Sequence, residues 1–241
     1  MIVIRSFLFY IVFFGGTAIL SLIGGVMRLV VPTKLLPIAV AWSSLGIWSA
    51  RVICGIRLDV SGQENLPPGP ALIASRHQSA FDTLVWFTLL PRCCYVLKKE
   101  LLRIPLMGPL MKATDMIAVD REGGARTIRE LVRQGQRVIQ DGRQIVIFPE
   151  GTRAPPGALL PLQPGVAALA TRTKMPVIPV ITDSGLRWGR RAFHKYPGTI
   201  HVKILPALPV GLPRDELMER LKHALEQTID PPTGPVGNSV S

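Results

Sequence analysis

From Ser6 to Met27 the chain runs for 22 residues without a charged side chain. As an α-helix that segment would be about 33 Å long, enough to cross the hydrocarbon core of a bilayer. Phe, Ile, Leu and Gly dominate it. A helix buried in a water-soluble core normally keeps a polar stripe, and this segment has almost none. It is too long for the apolar part of a signal peptide and lacks a clear small-residue cleavage site ahead of a polar start. It therefore reads as membrane-embedded. Arg5 and Arg28 flank it, so the distribution of positive charge sets no orientation. A second apolar stretch, Leu35 to Ala50, is shorter and carries Ser43, Ser44, Trp42 and Trp48. That composition suits an interfacial or re-entrant segment, and residues 1–55 are expected to form a helical hairpin in the membrane.

The charge balance names the kind of partner. There are 28 basic and 16 acidic residues, a net charge of +12 and a pI near 10.4, which calls for something anionic. A mean hydropathy of +0.32 with only 18% charged residues is unusual for a nucleic-acid binder, so an anionic membrane surface, and no nucleic acid, is the expected partner. Cys54, Cys93 and Cys94 show neither metal-ligand nor redox-motif spacing and read as reduced, buried thiols. No metal is expected.

Beyond Arg51 the pattern changes to short β-branched runs separated by helical stretches, the alternation of an α/β domain, expected over residues 56–230. Strands are predicted at Ile56–Val60, Ala71–Ser75, Cys94–Leu97, Met116–Asp120, Gln144–Phe148, Val177–Ile181 and Thr199–Leu205. The clearest helix is Ala125–Gln140, with Ile128, Leu131, Val132 and Ile139 on one side and Arg126, Arg129, Arg133 and Arg137 on others. A last helix is predicted near Arg214–Gln227, and the Pro/Gly/Ser-rich tail, 231–241, is expected to be disordered. The basic stretches Arg126–Arg143 and Arg187–Lys195 either face anionic headgroups or are ordinary solvated surfaces.

Two segments carry candidate chemistry: His77-Gln78-Ser79-Ala80-Phe81-Asp82 and Phe148-Pro149-Glu150-Gly151-Thr152-Arg153. Five residues along a helix is a rotation of about 140° net, so His77 and Asp82 can meet only through a turn. A strand ending at Ser75, a loop, and a helix starting at Asp82 would permit this. The carboxylate would then fix the imidazole's tautomer and leave its other nitrogen to take a hydroxyl proton. Taken in isolation, a helix cap for Asp82 and a loop role for His77 explain the same residues better. Glu150 to Arg153 follows a predicted strand, at the strand end where open α/β sheets bind ligands. Gly151 allows close backbone approach, Thr152 and Arg153 suit a phosphate, and Glu150 could orient a basic neighbour or a substrate hydroxyl. Arg121, in Val119-Asp120-Arg121, follows another predicted strand and could reach the same anion or pair with Asp120 or Glu122.

Together with Val177-Ile178-Pro179-Val180, these blocks resemble, in order and approximate spacing, the glycerolipid acyltransferase family, specifically the bacterial 1-acyl-sn-glycerol-3-phosphate acyltransferases; the similarity runs from about Val60 to Leu205. The resemblance implies a mixed, largely parallel sheet flanked by helices. It implies His77 as general base and Asp82 as its partner, with Arg121, Glu150, Gly151, Thr152 and Arg153 holding the glycerol phosphate. Lys98 matches a recurrent family lysine. The implied reaction moves a fatty acyl group from acyl-CoA or acyl-ACP, acting as co-substrate, to the sn-2 hydroxyl of lysophosphatidic acid, with no cofactor. It also implies a bacterial inner-membrane location with the catalytic domain on the cytoplasmic face. Ser79 reads as a turn residue and the 177–180 block as strand core. Two rivals stand beside this reading. One changes the acceptor to glycerol 3-phosphate, lyso-ornithine lipid or another lysophospholipid. The other is a non-catalytic, membrane-anchored protein whose basic face binds anionic lipid or nucleic acid.

Overall fold

The computed structural model describes residues 1–31, 35–90, 92–105, 107–120 and 123–229; Arg121 and the tail 231–241 lie outside the described residues. The amino terminus forms two helices, α1 (Ile2–Val30) and α2 (Leu36–Cys54), packed against each other. Both are long and apolar enough to cross a membrane. Gly55, in the left-handed conformation (φ 71°), ends α2 with its N–H on the Arg51 carbonyl, the usual role of glycine after a helix.

Among the described residues seven strands follow: β1 (Ile56–Ser61), β2 (Leu72–Ser75), β3 (Cys94–Lys98), β4 (Ile117–Val119), β5 (Ile145–Ile147), β6 (Val177–Thr182) and β7 (Gly198–Ile204). All seven predicted strands are present, within one or two residues at each end. They form one sheet in the order β1-β7-β6-β2-β5-β3-β4. Every described pairing is parallel except β6 with β7. The sheet is thus mixed and mostly parallel, as expected. Helices α3 (Asp82–Leu89), α4 (Met107–Ala113), α5 (Gly124–Gln140), α6 (Gly165–Thr173) and α7 (Arg214–Glu226) complete the fold.

Alternating side chains of the central strands feed two cores. Ile73, Val146, Ile178 and Val180 pack on one face with Phe9 and Phe13 of α1, Ala50 of α2 and Trp86 of α3. Leu72, Ala74, Ile145, Ile147 and Ile181 pack on the other with Leu131 of α5, Leu169 of α6 and Leu221 of α7. Burial on both faces is why these strands read as continuous apolar runs without alternation. The buried line of α5 is Leu131, Gly135 and Val138, while Ile128, Val132 and Ile139 are only half-buried; a side chain at Gly135 would collide with Leu169. Pro179 sits inside a central strand at the end of the antiparallel ladder, where its missing N–H forfeits a single bond to the β7 side. Its carbonyl accepts from Leu205 N–H at 2.9 Å on the β7 side, where strand pairing begins only at Val180.

Two basic residues assigned to possible headgroup-facing stretches are instead interior. Arg143 is buried and donates to the carbonyls of Arg92, Cys93 and Thr114. Lys195 is buried against α1. In each case backbone carbonyls replace water around the cation.

Candidate active site

The motifs meet because β2, β5, β3 and β4 are parallel neighbours, so the loops after them leave the same edge of the sheet. Ala74 pairs with Ile147, and the chain continues from both rows into Arg76–Phe81 and Phe148–Arg153. The loops are then cross-linked. His77 N–H donates to Glu150 Oε1 at 3.1 Å, and Ala154 N–H donates to the His77 carbonyl at 2.7 Å.

His77 Nδ1 lies 3.1 Å from Asp82 Oδ2. The contact is made through the turn that the five-residue spacing required. Asp82 is 2% exposed, and the same oxygen accepts from Gln78 N–H at 2.7 Å and Ser79 N–H at 2.8 Å. Its carboxylate therefore points back into the preceding loop, fixing the imidazole and its backbone together, whereas an N-cap would aim forward at the helix. Ser79 is fully buried, its hydroxyl accepting from Phe81 N–H at 3.0 Å, so it braces the turn. Phe148 stacks on the imidazole, ring centroids 4.0 Å apart and planes 17° apart.

The second loop turns at once. Gly151 N–H donates to the Phe148 carbonyl at 2.9 Å, with Pro149 at the second position and Gly151 (φ 69°) at the fourth, as such turns favour. Glu150 is turned inward, 3% exposed, with one oxygen on His77 N–H and the other accepting from Leu160 N–H at 3.2 Å. Burial pushes its pKa up, opposed by those two backbone donors and by Arg76 and His77. With both oxygens engaged by backbone, Glu150 braces the His77 loop and presents no donor to a phosphate. Thr152 is exposed and Arg153 half-exposed, and the Arg153 guanidinium makes no ion pair among the described residues. Lys98 is paired with Glu100 at 3.2 Å, its side chain about half-exposed. Arg121 lies outside the described residues.

A cavity of about 810 Å³ joins these parts. His77, Lys98, Glu150, Gly151, Thr152 and Arg153 line it where it meets the motif loops. Apolar residues of α1, α2, α4 and α5, among them Leu20, Trp42, Leu110 and Ile128, line the rest. A cavity this size suits a small-molecule ligand, with few polar groups set among apolar ones. Sequence reading missed this contribution of the amino-terminal helices, because nothing in an apolar run says which of its residues face inward. It also missed Phe148 as the ring covering His77, although an aromatic at the end of a buried strand was the available signal. Arg76 was missed as well: buried beneath the loops, it donates to the Ala158 carbonyl.

Comparison with known proteins agrees with this geometry. The sequence profile of the family described as Acyltransferase matches residues 57–183. A 1-acyl-sn-glycerol-3-phosphate acyltransferase of Pseudomonas aeruginosa is 38% identical over 167 residues, 69% of this chain and 65% of that protein. A human 1-acyl-sn-glycerol-3-phosphate acyltransferase alpha is 30% identical, over 73% of this chain and 64% of the relative. The chain thus spans somewhat under two thirds of the length of the curated relatives it matches. The crystal structure of the 1-acyl-sn-glycerophosphate acyltransferase PlsC from Thermotoga maritima superposes with a TM-score of 0.65 over 93% of this chain and 92% of that one, at 21% identity, and so shares the fold. With the family profile covering more than half of its residues, this chain belongs to the acyltransferase family.

Proposed function

We propose that the protein transfers a fatty acyl group from a thioester of coenzyme A or acyl carrier protein to the sn-2 hydroxyl of 1-acyl-sn-glycerol 3-phosphate, giving phosphatidic acid. The observation that carries this reading is His77, held by Asp82 behind it, lining one cavity with Arg153 and a long apolar wall. Asp82 engages Nδ1, which leaves Nε2 to accept the proton of the attacking hydroxyl. The alkoxide oxygen bonds to the thioester carbonyl carbon, the tetrahedral intermediate collapses, and the departing thiolate takes the proton from the imidazolium. Arg153, with Thr152, holds the acceptor's phosphate, and Arg121 joins them in this proposal. Lys98 contributes positive charge beside them. Phosphate binding fixes the hydroxyl at the base, converting encounter into positioned reaction. The acyl donor arrives already activated, so the scheme calls for no cofactor.

The membrane arrangement belongs to the same proposal. The α1 helix touches the rest of the protein at both ends: Ser6 Oγ accepts from Lys195 N–H at 2.9 Å, and Gly24 packs close to Leu110 of α4. These contacts are about 27 Å apart along a helix. A helix crossing the bilayer could not keep both against a body in water. We therefore read α1 and α2 as lying in one leaflet, on the inner, cytoplasmic face of a bacterial membrane, with the cavity open toward lipid. The residue divisions 1–55 and 56–230 are proposed on the same footing. The test is acyl transfer from a thioester to 1-acyl-sn-glycerol 3-phosphate in detergent or vesicles, following phosphatidic acid for the intact protein and His77→Ala. Product from the intact protein alone supports the reading; equal turnover by the variant overturns it.

A further inference from the structure

The loop from Leu186 to Tyr196 begins just past the residues matched by the family profile. It forms a ledge against α1. Lys195 pins it there: Nζ donates to Tyr10 Oη at 2.9 Å and to the Ala192 and Phe193 carbonyls at 2.8 and 3.0 Å. Tyr10 Oη in turn donates to the Ala192 carbonyl at 3.2 Å. The lysine lies under the rings of Tyr10 and Trp188, 4.6 and 5.1 Å from their centroids.

Above this anchor the ledge shows two kinds of side chain. Leu186, Phe193 and Tyr196 are 54%, 41% and 46% exposed. Arg190, Arg191 and His194 are exposed beside them. Phe193 stacks on Tyr10 at 5.4 Å, and Tyr10 stacks on Phe14 at 5.6 Å. The rings therefore form a ladder from the ledge onto the exposed apolar face of α1, where Phe7, Ile11 and Phe14 project. Arg191 adopts φ 55° without being glycine, in a turn closed by Ala192 N–H on the Gly189 carbonyl. A side chain in that conformation carries a local conformational cost. Arg190 Nη1 donates to the Arg153 carbonyl at 3.2 Å, so the ledge reaches the motif loop at its other end. No acidic residue occurs between Ser184 and Ile200 or anywhere before Asp59.

We propose that the ledge is a second membrane-contact element that binds the headgroups of anionic phospholipids through Arg191 and its neighbours while Phe193 and Tyr196 sit at the interface. It rests on the membrane reading of α1 given above and adds the surface, the lipid charge and the depth. An acidic carrier protein would also suit the arginines. It would not account for the stacked rings running onto an apolar helix face, and aromatic rings with basic residues are what a bilayer interface selects.

The test uses the full chain with Phe193→Cys carrying an environment-sensitive fluorophore; the three native cysteines are buried. Glu219→Cys, exposed on α7, whose neighbours pack on the opposite sheet face, is the control. On vesicles of phosphatidylcholine with phosphatidylglycerol the label at 193 should blue-shift and be quenched by shallow spin-labelled lipid, and the label at 219 should do neither. Arg191→Glu should lower partition onto those vesicles by about tenfold and leave partition onto pure phosphatidylcholine unchanged. A label at 193 that stays as water-exposed as that at 219 overturns the proposal, and so does a shift obtained only on adding acyl carrier protein. Turnover of Arg191→Glu in detergent, expected to be unchanged, tests the ledge apart from the acyl-transfer reading.

Discussion

Among the described residues two His–Asp pairs have similar geometry, and only one has its histidine in the wall of the cavity. His77 Nδ1 sits 3.1 Å from Asp82, and His201 Nδ1 sits 2.7 Å from Asp183. In both, the carboxylate also accepts a backbone N–H: from Gln78 and Ser79 at Asp82, and from His201 itself at Asp183. By contact distance the second pair is the tighter one. The difference lies in what surrounds them. His77 lies in a loop at the end of a parallel strand, under the Phe148 ring and in the wall of the same cavity as Arg153. His201 lies within β7, opposite exposed Asp59 of β1, and does not line that cavity. A His–Asp hydrogen bond is a structural commonplace; a cavity, an anion-binding group and a free ring nitrogen beside it make a candidate site.

Substituting each pair in the same way sharpens that contrast. His77→Ala is expected to reduce turnover by about 10³-fold, and His201→Ala to leave it within about threefold, both measured as phosphatidic acid formed per enzyme. Loss of activity from His201→Ala in a folded protein would break the distinction. Asp82→Asn should lower kcat by about 10²-fold because the imidazolium loses its counter-charge, whereas Asp183→Asn should mainly lower the melting temperature by a few degrees. Arg153→Ala should raise KM for the acceptor by about tenfold or more, the loss of a charge-assisted pair with phosphate, without a matching change for the acyl donor. Phe148→Leu removes the ring over His77, which His201 lacks among its described ring contacts, and should lower kcat by about threefold to tenfold.

How much of this could be read from the sequence depends on the range of the interaction. Local patterns were legible. The run Ile145–Phe148 announced β5, and the spacing of His77 from Asp82 demanded a turn that the structure contains. Long-range facts were not. Nothing in the chain places β7 between β1 and β6, and no periodicity distinguishes Leu20, which lines the cavity, from Leu22, which faces outward. Glu150 shows the limit most clearly. Residue type and position suggested a group facing substrate, and Glu150 does line the cavity, but its burial and the two backbone donors that make it a clasp between loops were not legible. Arg143 and Lys195 fail the same way, as basic letters in basic stretches whose charges are spent on carbonyls.

The shared wall of the cavity has a practical consequence for anyone wishing to handle this protein in water. Because Leu20, Ile38 and Trp42 belong to the amino-terminal helices and also enclose the site, trimming those helices away would flood the site along with removing the anchor. A water-soluble form is better sought by repainting. Phe7, Ile11, Phe14 and Leu22 on the outward stripe of α1 can become polar while Phe9, Phe13 and Leu20 stay as they are, so that the helix keeps its inner surface and gives up only its exposed apolar side chains.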